Sequence, residues 1–139
     1  MRVILDTNVL VSGIFFGGIP GRILTAWRDA ALQIVTSPEI LSEYADVLGR
    51  LVAKRPGIDP YPILALLTTN CECVESPQLS ESVCDDSDDD KFFACAIASD
   101  VSVIISGDSH LLTKSGYHDI SVLRPTKIVE QFPDVFNRP

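Results

Sequence analysis

Short, continuous apolar runs alternate along the chain with longer segments in which apolar residues recur at helical spacing. The short runs, rich in Val and Ile, are typical of buried strands in a parallel sheet. They occupy residues 3–5, 32–35, 72–74, 101–105 and 120–123. The longer segments predict helices, with apolar positions within 9–14, 23–27, 40–51, 63–67, 92–98, 111–112 and 128–132. Strands that alternate with helices imply right-handed βαβ crossovers, so we predict an α/β fold with a central parallel β-sheet flanked by helices on both faces.

Capping and turn residues mark where some of these segments begin and end. Residues 37–39 (Ser-Pro-Glu) combine an N-cap serine, a proline in the first helical position and an acid in the first turn. In the helix that follows, Glu43 lies at the edge of the apolar stripe, whereas Asp46 lies farther toward solvent. The glycines and the proline within residues 15–21 predict a loop.

Length and composition favour a single domain that spans residues 1–139. Hydrophobic residues make up 46% of the chain and charged residues 22%, both usual for a globular protein. No apolar stretch approaches the roughly 18 residues that a membrane helix needs, and the first residues lack the pattern of a signal peptide. We therefore expect a cytoplasmic protein without a membrane partner.

The cysteines form no C-x-x-C pair, and no His lies near them at zinc-finger spacing. Cys95 sits in an apolar run and is predicted to be a small core residue. The pair Cys71 and Cys73 offers two ligands to a soft metal, but free thiols are the expected state of cytosolic cysteines.

The net charge of −8 argues against a protein that holds nucleic acid by a broad basic face. The charge is uneven, because residues 1–57 hold six Lys/Arg and five Asp/Glu, whereas residues 58–139 hold five and fourteen. Much of the acidic excess lies in residues 85–90, and a run of like charge is usually solvated.

Four acidic residues stand where a parallel sheet would bring them together. Asp6 and Asp108 each follow a predicted strand at its carboxyl end, where ligands bind in open α/β sheets. Glu43 lies at the boundary of a helix, and Asp90 precedes a helix that is apolar nearly all round. Taken singly, each acid has an ordinary alternative role as a helix cap, a first-turn acid or a solvated surface charge.

Converging carboxylates repel one another unless a cation is present, and Mg²⁺ or Mn²⁺ is the cation that prefers an all-oxygen site. Such a centre activates water and stabilises the entering and leaving oxygens in phosphodiester hydrolysis. It also allows an acidic protein to handle RNA, since bound metal reverses the local charge. Basic side chains in the first half of the chain are candidates to hold the phosphate backbone: Arg22, Arg28, Arg50, Lys54 and Arg55.

The four acids and their neighbours resemble the PIN-domain family, which includes the VapC-like toxin ribonucleases. The opening Val-Ile-Leu-Asp6-Thr-Asn-Val-Leu looks like the family's first motif, and Glu43 within Ser-Glu-Tyr resembles its second acid. Asp90 followed by apolar and Ala residues is similar to its third acid, and the stretch from Ser106 to Asp108 to its Ser/Thr-x-Asp. The motifs match in order and spacing from residue 3 to about 112.

The resemblance implies a PIN-like α/β/α sandwich and a Mg²⁺- or Mn²⁺-dependent endoribonuclease that cuts single-stranded RNA. Many members are toxins neutralised by a small antitoxin protein, and many are homodimers. The four acids would hold the metal, and one of them or a metal-activated water would serve as the base. Supporting residues next to the acids would orient ligands or phosphate, although each can equally be a turn residue: Thr7, Asn8 and Ser106.

One departure from the family pattern concerns the position two residues after the fourth acid. Members often carry a further Asp there, whereas this chain has His110. A second metal ion is therefore less expected than the first, and the sequence leaves open whether Asp88 or Asp89 compensates. Phe15 and Phe16, with Trp27, fit either an apolar dimer interface or the core.

Two other classes of function remain open from the sequence. A degenerate PIN domain would keep the fold and bind RNA or protein without turnover, although all four acids are present. A phosphotransfer protein on a similar sheet would need a second Asp two residues after Asp6, where this chain has Asn8. Metal binding and RNA cleavage discriminate among the three classes.

Overall fold

The computed structural model describes residues 1–55, 57 and 59–136, and in that part of the chain it contains one five-stranded sheet. The strands are β1 (Arg2–Leu5), β2 (Gln33–Thr36), β3 (Glu72–Cys73), β4 (Val103–Ile105) and β5 (Ser121–Leu123). Their order is β3-β2-β1-β4-β5, and every neighbouring pair is parallel. This confirms the predicted α/β class.

Helices surround the sheet and connect its strands. They are α1 (Thr7–Phe15), α2 (Gly18–Arg28), α3 (Pro38–Val52), α4 (Tyr61–Asn70), α5 (Asp90–Ser99), α6 (Ser109–Leu112), α7 (Pro125–Gln131) and α8 (Pro133–Phe136). Two single 3₁₀ turns, Ser87–Asp89 and Tyr117–Asp119, precede α5 and β5. Each predicted helix is present, with ends that differ by a few residues from the apolar pattern.

The prediction of a loop over residues 15–21 was wrong in extent. The chain turns sharply at Gly17 (φ +69°), and α2 already begins at Gly18. Pro20 is accommodated because the first turn of a helix has backbone N–H groups without helical partners, so its missing N–H costs nothing there. The wide angle of 96° between α1 and α2 follows from this short connection.

The core lies between β1, β2 and β4 and the helices that pack on them. Val3, Ile4 and Leu5 are all fully buried, as expected for a central strand covered on both faces. Helix α5 packs against these three strands, and its Phe92 and Cys95 are fully buried in the same core, which confirms Cys95 as a core residue. Within the described residues all of the cysteines are free thiols.

No single helix in the described part of the chain is long and apolar enough to cross a membrane. The bent pair α1 and α2 passes such a test only when the two helices are joined, on length and composition alone.

The strand order creates one topological switch point. From β1 the chain moves to β2 on one side, whereas β4 pairs with β1 on the other. The crevice beyond the carboxyl ends of β1 and β4 is where ligands bind in sheets of this kind. Asp6 follows β1 directly, and its backbone N–H donates to the carbonyl of Ile105 at the end of β4 (2.9 Å).

Candidate active site at the carboxyl edge of the sheet

Ser106 joins the ends of the two central strands. Its hydroxyl donates to Asp6 Oδ2 (2.7 Å) and accepts a hydrogen bond from the backbone N–H of Asp108 (3.0 Å). The Ser106 side chain is fully buried, and Asp6 is only 5% exposed. Asp108 in turn caps α6, since its Oδ1 accepts from the backbone N–H of His110 (2.9 Å). One buried hydroxyl therefore fixes both strand-terminal acids relative to each other.

Helix α3 brings Glu43 to the same edge. The Thr7 hydroxyl, immediately after Asp6, donates to Glu43 Oε2, and Lys91 Nζ pairs with Glu43 Oε1 at 2.6 Å. The neighbouring Tyr44 is fully buried and hydrogen-bonds through its hydroxyl to the Leu5 carbonyl. Glu43 is half-buried at the boundary of α3, as the position of its apolar stripe predicts.

The carboxylate of Asp90 is engaged by the preceding loop. Its Oδ1 accepts from the backbone N–H groups of Val83 (3.1 Å) and Cys84 (2.8 Å), and its Oδ2 accepts from the Ser82 hydroxyl (2.9 Å). Burial alone would raise the pKa of Asp90, but these three donors outweigh it and lower the pKa below its usual value. Asp90 therefore ties residues 82–84 to the start of α5.

Asp89, one residue earlier, is partly buried and lies near enough to other carboxylates for their charges to act on it. Burial, followed by the negative charges of Asp108, Asp86, Asp6 and Glu43, raises the pKa of Asp89 to about 6. The 3₁₀ turn at 87–89 lets adjacent acids point in different directions. The sequence favours Asp90, through its spacing to the inward-packing residues of α5 and its place in the family motif, and leaves Asp89 open.

The buried position of Asp6 has an electrostatic consequence. Burial raises its pKa, the hydrogen bond from Ser106 opposes that effect, and the charges of Asp108 and Glu43 raise the pKa further. Asp6, Glu43, Asp89 and Asp108 are thus close enough to repel one another. A site of this kind favours a bound cation.

The donor set has the chemistry of a hard divalent cation site, because it consists of carboxylate and hydroxyl oxygens without a cysteine or an imidazole. As the side chains stand, no three or more Asp, Glu, His or Cys residues in the described ranges are arranged to hold one ion. The Glu43 carboxylate already accepts a hydrogen bond from Thr7 and pairs with Lys91, and the Asp6 carboxylate accepts a hydrogen bond from Ser106. The residues fit such a cation in type, and some side chains must shift to bind it.

A groove of about 1060 Å³ opens beside the cluster. Its lining includes Glu43 and Arg50 from α3 together with Asp88, Asp90 and Lys91.

The other basic residues that the sequence offered for phosphate binding lie in different surroundings. Arg22 donates to the carbonyl of Phe136 (3.3 Å), and the Arg55 guanidinium lies 4.6 Å from the centre of the exposed Phe16 ring. A basic residue outside that set, Arg124, contacts the carbonyl of Gly107 beside Asp108 (3.4 Å).

The other residues that the sequence analysis singled out differ in how far they are exposed to solvent. Thr7 is buried against Glu43, whereas the side chain of Asn8 is exposed at the start of α1. His110 is also exposed, and the backbone N–H through which it contacts Asp108 is available in any residue except proline.

Comparison with known proteins agrees with this architecture. Residues 2–110 match the PIN domain family, so the chain belongs to the PIN-domain family. The chain is also 31% identical over 144 aligned positions to the uncharacterised protein MJ1680 of Methanocaldococcus jannaschii, with 95% of this chain and 92% of that protein covered.

PIN domains are generally nucleases that typically use divalent metal ions, so membership supports a nuclease-type hydrolase that binds nucleic acid.

Proposed function

We propose that the protein is a Mg²⁺- or Mn²⁺-dependent endoribonuclease that hydrolyses phosphodiester bonds of single-stranded RNA. The observation that carries the proposal is the convergence of Asp6, Glu43 and Asp108 at the switch point of a PIN-domain sheet. A divalent cation bound there supplies the positive charge and the acidified water that phosphodiester hydrolysis needs at neutral pH.

The chain's own residues hold the acids in place for that chemistry. Ser106 orients Asp6 through its hydroxyl, and Thr7 orients Glu43. We assign the fourth carboxylate of the cluster to Asp89, because Asp89 is partly buried and near the other acids, whereas the carboxylate of Asp90 is engaged by residues 82–84. Asp90, which the sequence pattern favours, supports the site indirectly through its hydrogen bonds to residues 82–84.

The groove beside the cluster is the proposed path of the RNA backbone. Arg50 and Lys91 line the groove, and Arg124 contacts the carbonyl of Gly107, next to Asp108. Guanidinium groups bind phosphate oxygens through paired hydrogen bonds, so Arg50 and Arg124 are the candidates to hold phosphates that flank the cut. The other basic residues proposed from the sequence, Arg28 and Lys54 among them, remain candidates for more distant contacts.

The biological role that we propose is that of the toxin in a toxin–antitoxin system, acting in the cytoplasm as a homodimer. Its support is the sequence resemblance to VapC-like proteins. Induced synthesis of the wild-type chain is expected to arrest growth, whereas synthesis of the Asp6→Asn variant is not. A small protein that binds the chain and restores growth would be the antitoxin, and sedimentation equilibrium tests the dimer.

The decisive experiment is cleavage of a mixed pool of single-stranded RNA with Mg²⁺, Mn²⁺ or EDTA. Wild type is expected to cut only with a divalent cation, and Asp6→Asn is expected to be inactive. Asp100→Asn is the matched control, because Asp100 is an exposed acid at the opposite end of α5 and asparagine tolerates its left-handed conformation. Cutting that survives Asp6→Asn would refute the site.

A non-catalytic RNA- or protein-binding PIN module is the second candidate. It is favoured by one observation, that the described acids are not arranged to hold an ion as their side chains stand. Under this alternative the protein binds RNA with unchanged affinity after Asp6→Asn and cuts no RNA of any sequence with either metal.

A further inference from the structure

Lys91 places a positive charge next to the acid cluster. Its ammonium group lies 2.6 Å from Glu43 Oε1 and 3.3 Å from Asp88 Oδ1, and only 15% of its side chain is exposed. It is the second residue of α5, so the buried Phe92 and Phe93 that follow hold its backbone against the sheet. Because Lys91 and Glu43 are both largely shielded from solvent, their Coulombic attraction is screened less than that of an exposed surface pair.

Glu43 is held from two sides by donors of different charge. Thr7 donates a neutral hydroxyl hydrogen bond to Oε2, and Lys91 brings a full positive charge to Oε1. Both donors fix the direction of the carboxylate. Lys91 alone offsets the repulsion that Glu43 exerts on Asp6 and Asp89.

We propose that Lys91 is a built-in counter-ion of the acid cluster, which occupies Glu43 when no divalent cation is bound and competes with that cation for the carboxylate. The proposal rests on the metal-dependent activity proposed above, and in it Lys91 acts through its charge on Glu43 and not on the substrate. Divalent cation binding then requires the ammonium group to give up part of its contact with Glu43. The freed ammonium faces the groove, which Lys91 also lines.

The competition predicts that removal of the lysine charge strengthens metal binding. In Lys91→Met the site gains one uncompensated negative charge, so the Kd for Mn²⁺, measured by titration calorimetry on the full chain, is expected to fall about tenfold. Lys91→Arg keeps the charge and should bind Mn²⁺ with nearly the wild-type Kd. Thr7→Val removes the other donor without a change of charge, so its Kd is expected to rise because only the orientation of Glu43 is lost.

A purely structural role for Lys91 makes the opposite prediction. If Lys91 only oriented Glu43, its removal would weaken Mn²⁺ binding as Thr7→Val does, and that result would overturn the proposal. Lys127→Met, the loss of an exposed lysine on α7, controls for the change in net charge. Equal Kd values for Lys91→Met and Lys127→Met would also overturn it.

The stability of the metal-free protein provides a second measurement. Without Lys91 the acids repel one another uncompensated, so Mn²⁺ should raise the thermal midpoint of Lys91→Met by more than that of wild type. Lys91→Gln serves the same purpose if the Met variant does not fold.

The two proposals fail in different ways. Mn²⁺ binding that is abolished by Asp6→Asn but not strengthened by Lys91→Met would overturn the role of Lys91 and leave the metal site standing. Absence of Mn²⁺ binding in wild type and in every variant would overturn both.

Discussion

The Tyr44 hydroxyl donates a hydrogen bond of 2.5 Å to the backbone carbonyl of Leu5, the last residue of β1. The Tyr44 side chain is fully buried, so this bond fastens α3 to the end of the central strand. Because Glu43 precedes Tyr44 and Asp6 follows Leu5, the same contact sets the separation between the two acids. Buried Tyr44 on α3 thus positions Glu43, and buried Leu5 on β1 positions Asp6.

Tyr44→Phe should therefore affect both stability and activity. The loss of one buried hydrogen bond is expected to lower the free energy of unfolding by about 0.5–1.5 kcal/mol. RNA cleavage should fall as well, because α3 is no longer fastened beside Asp6. Urea denaturation and the cleavage assay measure the two effects.

Tyr61→Phe, at a tyrosine that is 56% exposed, is the matched control and should change neither quantity. If Tyr44→Phe retained wild-type cleavage at unchanged stability, the fastening role of Tyr44 would be wrong.

Ser106→Ala is expected to lower the stability of the protein, because Ser106 connects the carboxyl ends of β1 and β4. Its hydroxyl is the donor to buried Asp6 Oδ2 and the acceptor for the Asp108 N–H, so the substitution leaves polar groups without a partner. The expected loss in the free energy of unfolding is about 1–3 kcal/mol. Ser102→Ala, at an exposed position before β4, should have little effect in the same denaturation experiment. Equal stability of the two variants would contradict the bridging role of Ser106.

Asp89 and Asp90 are distinguished by parallel Asp→Asn substitutions. Asp89→Asn should reduce RNA cleavage by at least about 10–100-fold, the loss that follows even from removal of supporting residues at metal sites. Asp90→Asn should be milder, because its amide oxygen can still accept from Val83 and Cys84. The measurement is kcat at saturating Mn²⁺, with circular dichroism to verify folding. A larger loss of kcat in Asp90→Asn than in Asp89→Asn would identify Asp90 as the fourth carboxylate, as the sequence pattern predicts.

Cys95 makes stability depend on pH in the alkaline range. Burial, together with the charges of the ionised Cys73 thiol, Glu39 and Glu72, raises the pKa of the Cys95 thiol to about 12, whereas an unfolded thiol titrates at about 8.5. Between these values the unfolded chain releases the Cys95 proton and the folded chain keeps it, so the free energy of unfolding falls as pH rises above about 9.

The slope from this one group is at most about 1.4 kcal/mol per pH unit. Cys95→Ala should flatten the decline of stability between pH 9 and 11 in urea titrations, even though it lowers stability at pH 7. Cys73→Ala, at an exposed thiol, should flatten it less. An unchanged slope in Cys95→Ala would assign the alkaline loss to other groups.

Local patterns were sufficient for the fold class and for three of the clustered acids. Continuous β-branched runs identify central strands because both faces of such strands are buried, and the residue after each run must then lie at the carboxyl edge. Asp6 and Asp108 follow from that rule, and Glu43 follows from the boundary of the α3 stripe. The loop at 15–21 was overestimated because glycine and proline also occur within the first turn of a helix, as in α2.

The sequence by itself determined the succession of strands and helices along the chain, their buried faces and the residues that follow the strands. These features depend on periodicity and capping within a few neighbouring residues. Only the tertiary structure decided which contacts the acids make. The direction of adjacent aspartates depends on a 3₁₀ turn and on donors in residues 82–84, and the Lys91–Glu43 pair depends on the packing of α5 against the sheet. Such contacts join residues far apart in the chain, and no local spacing encodes them.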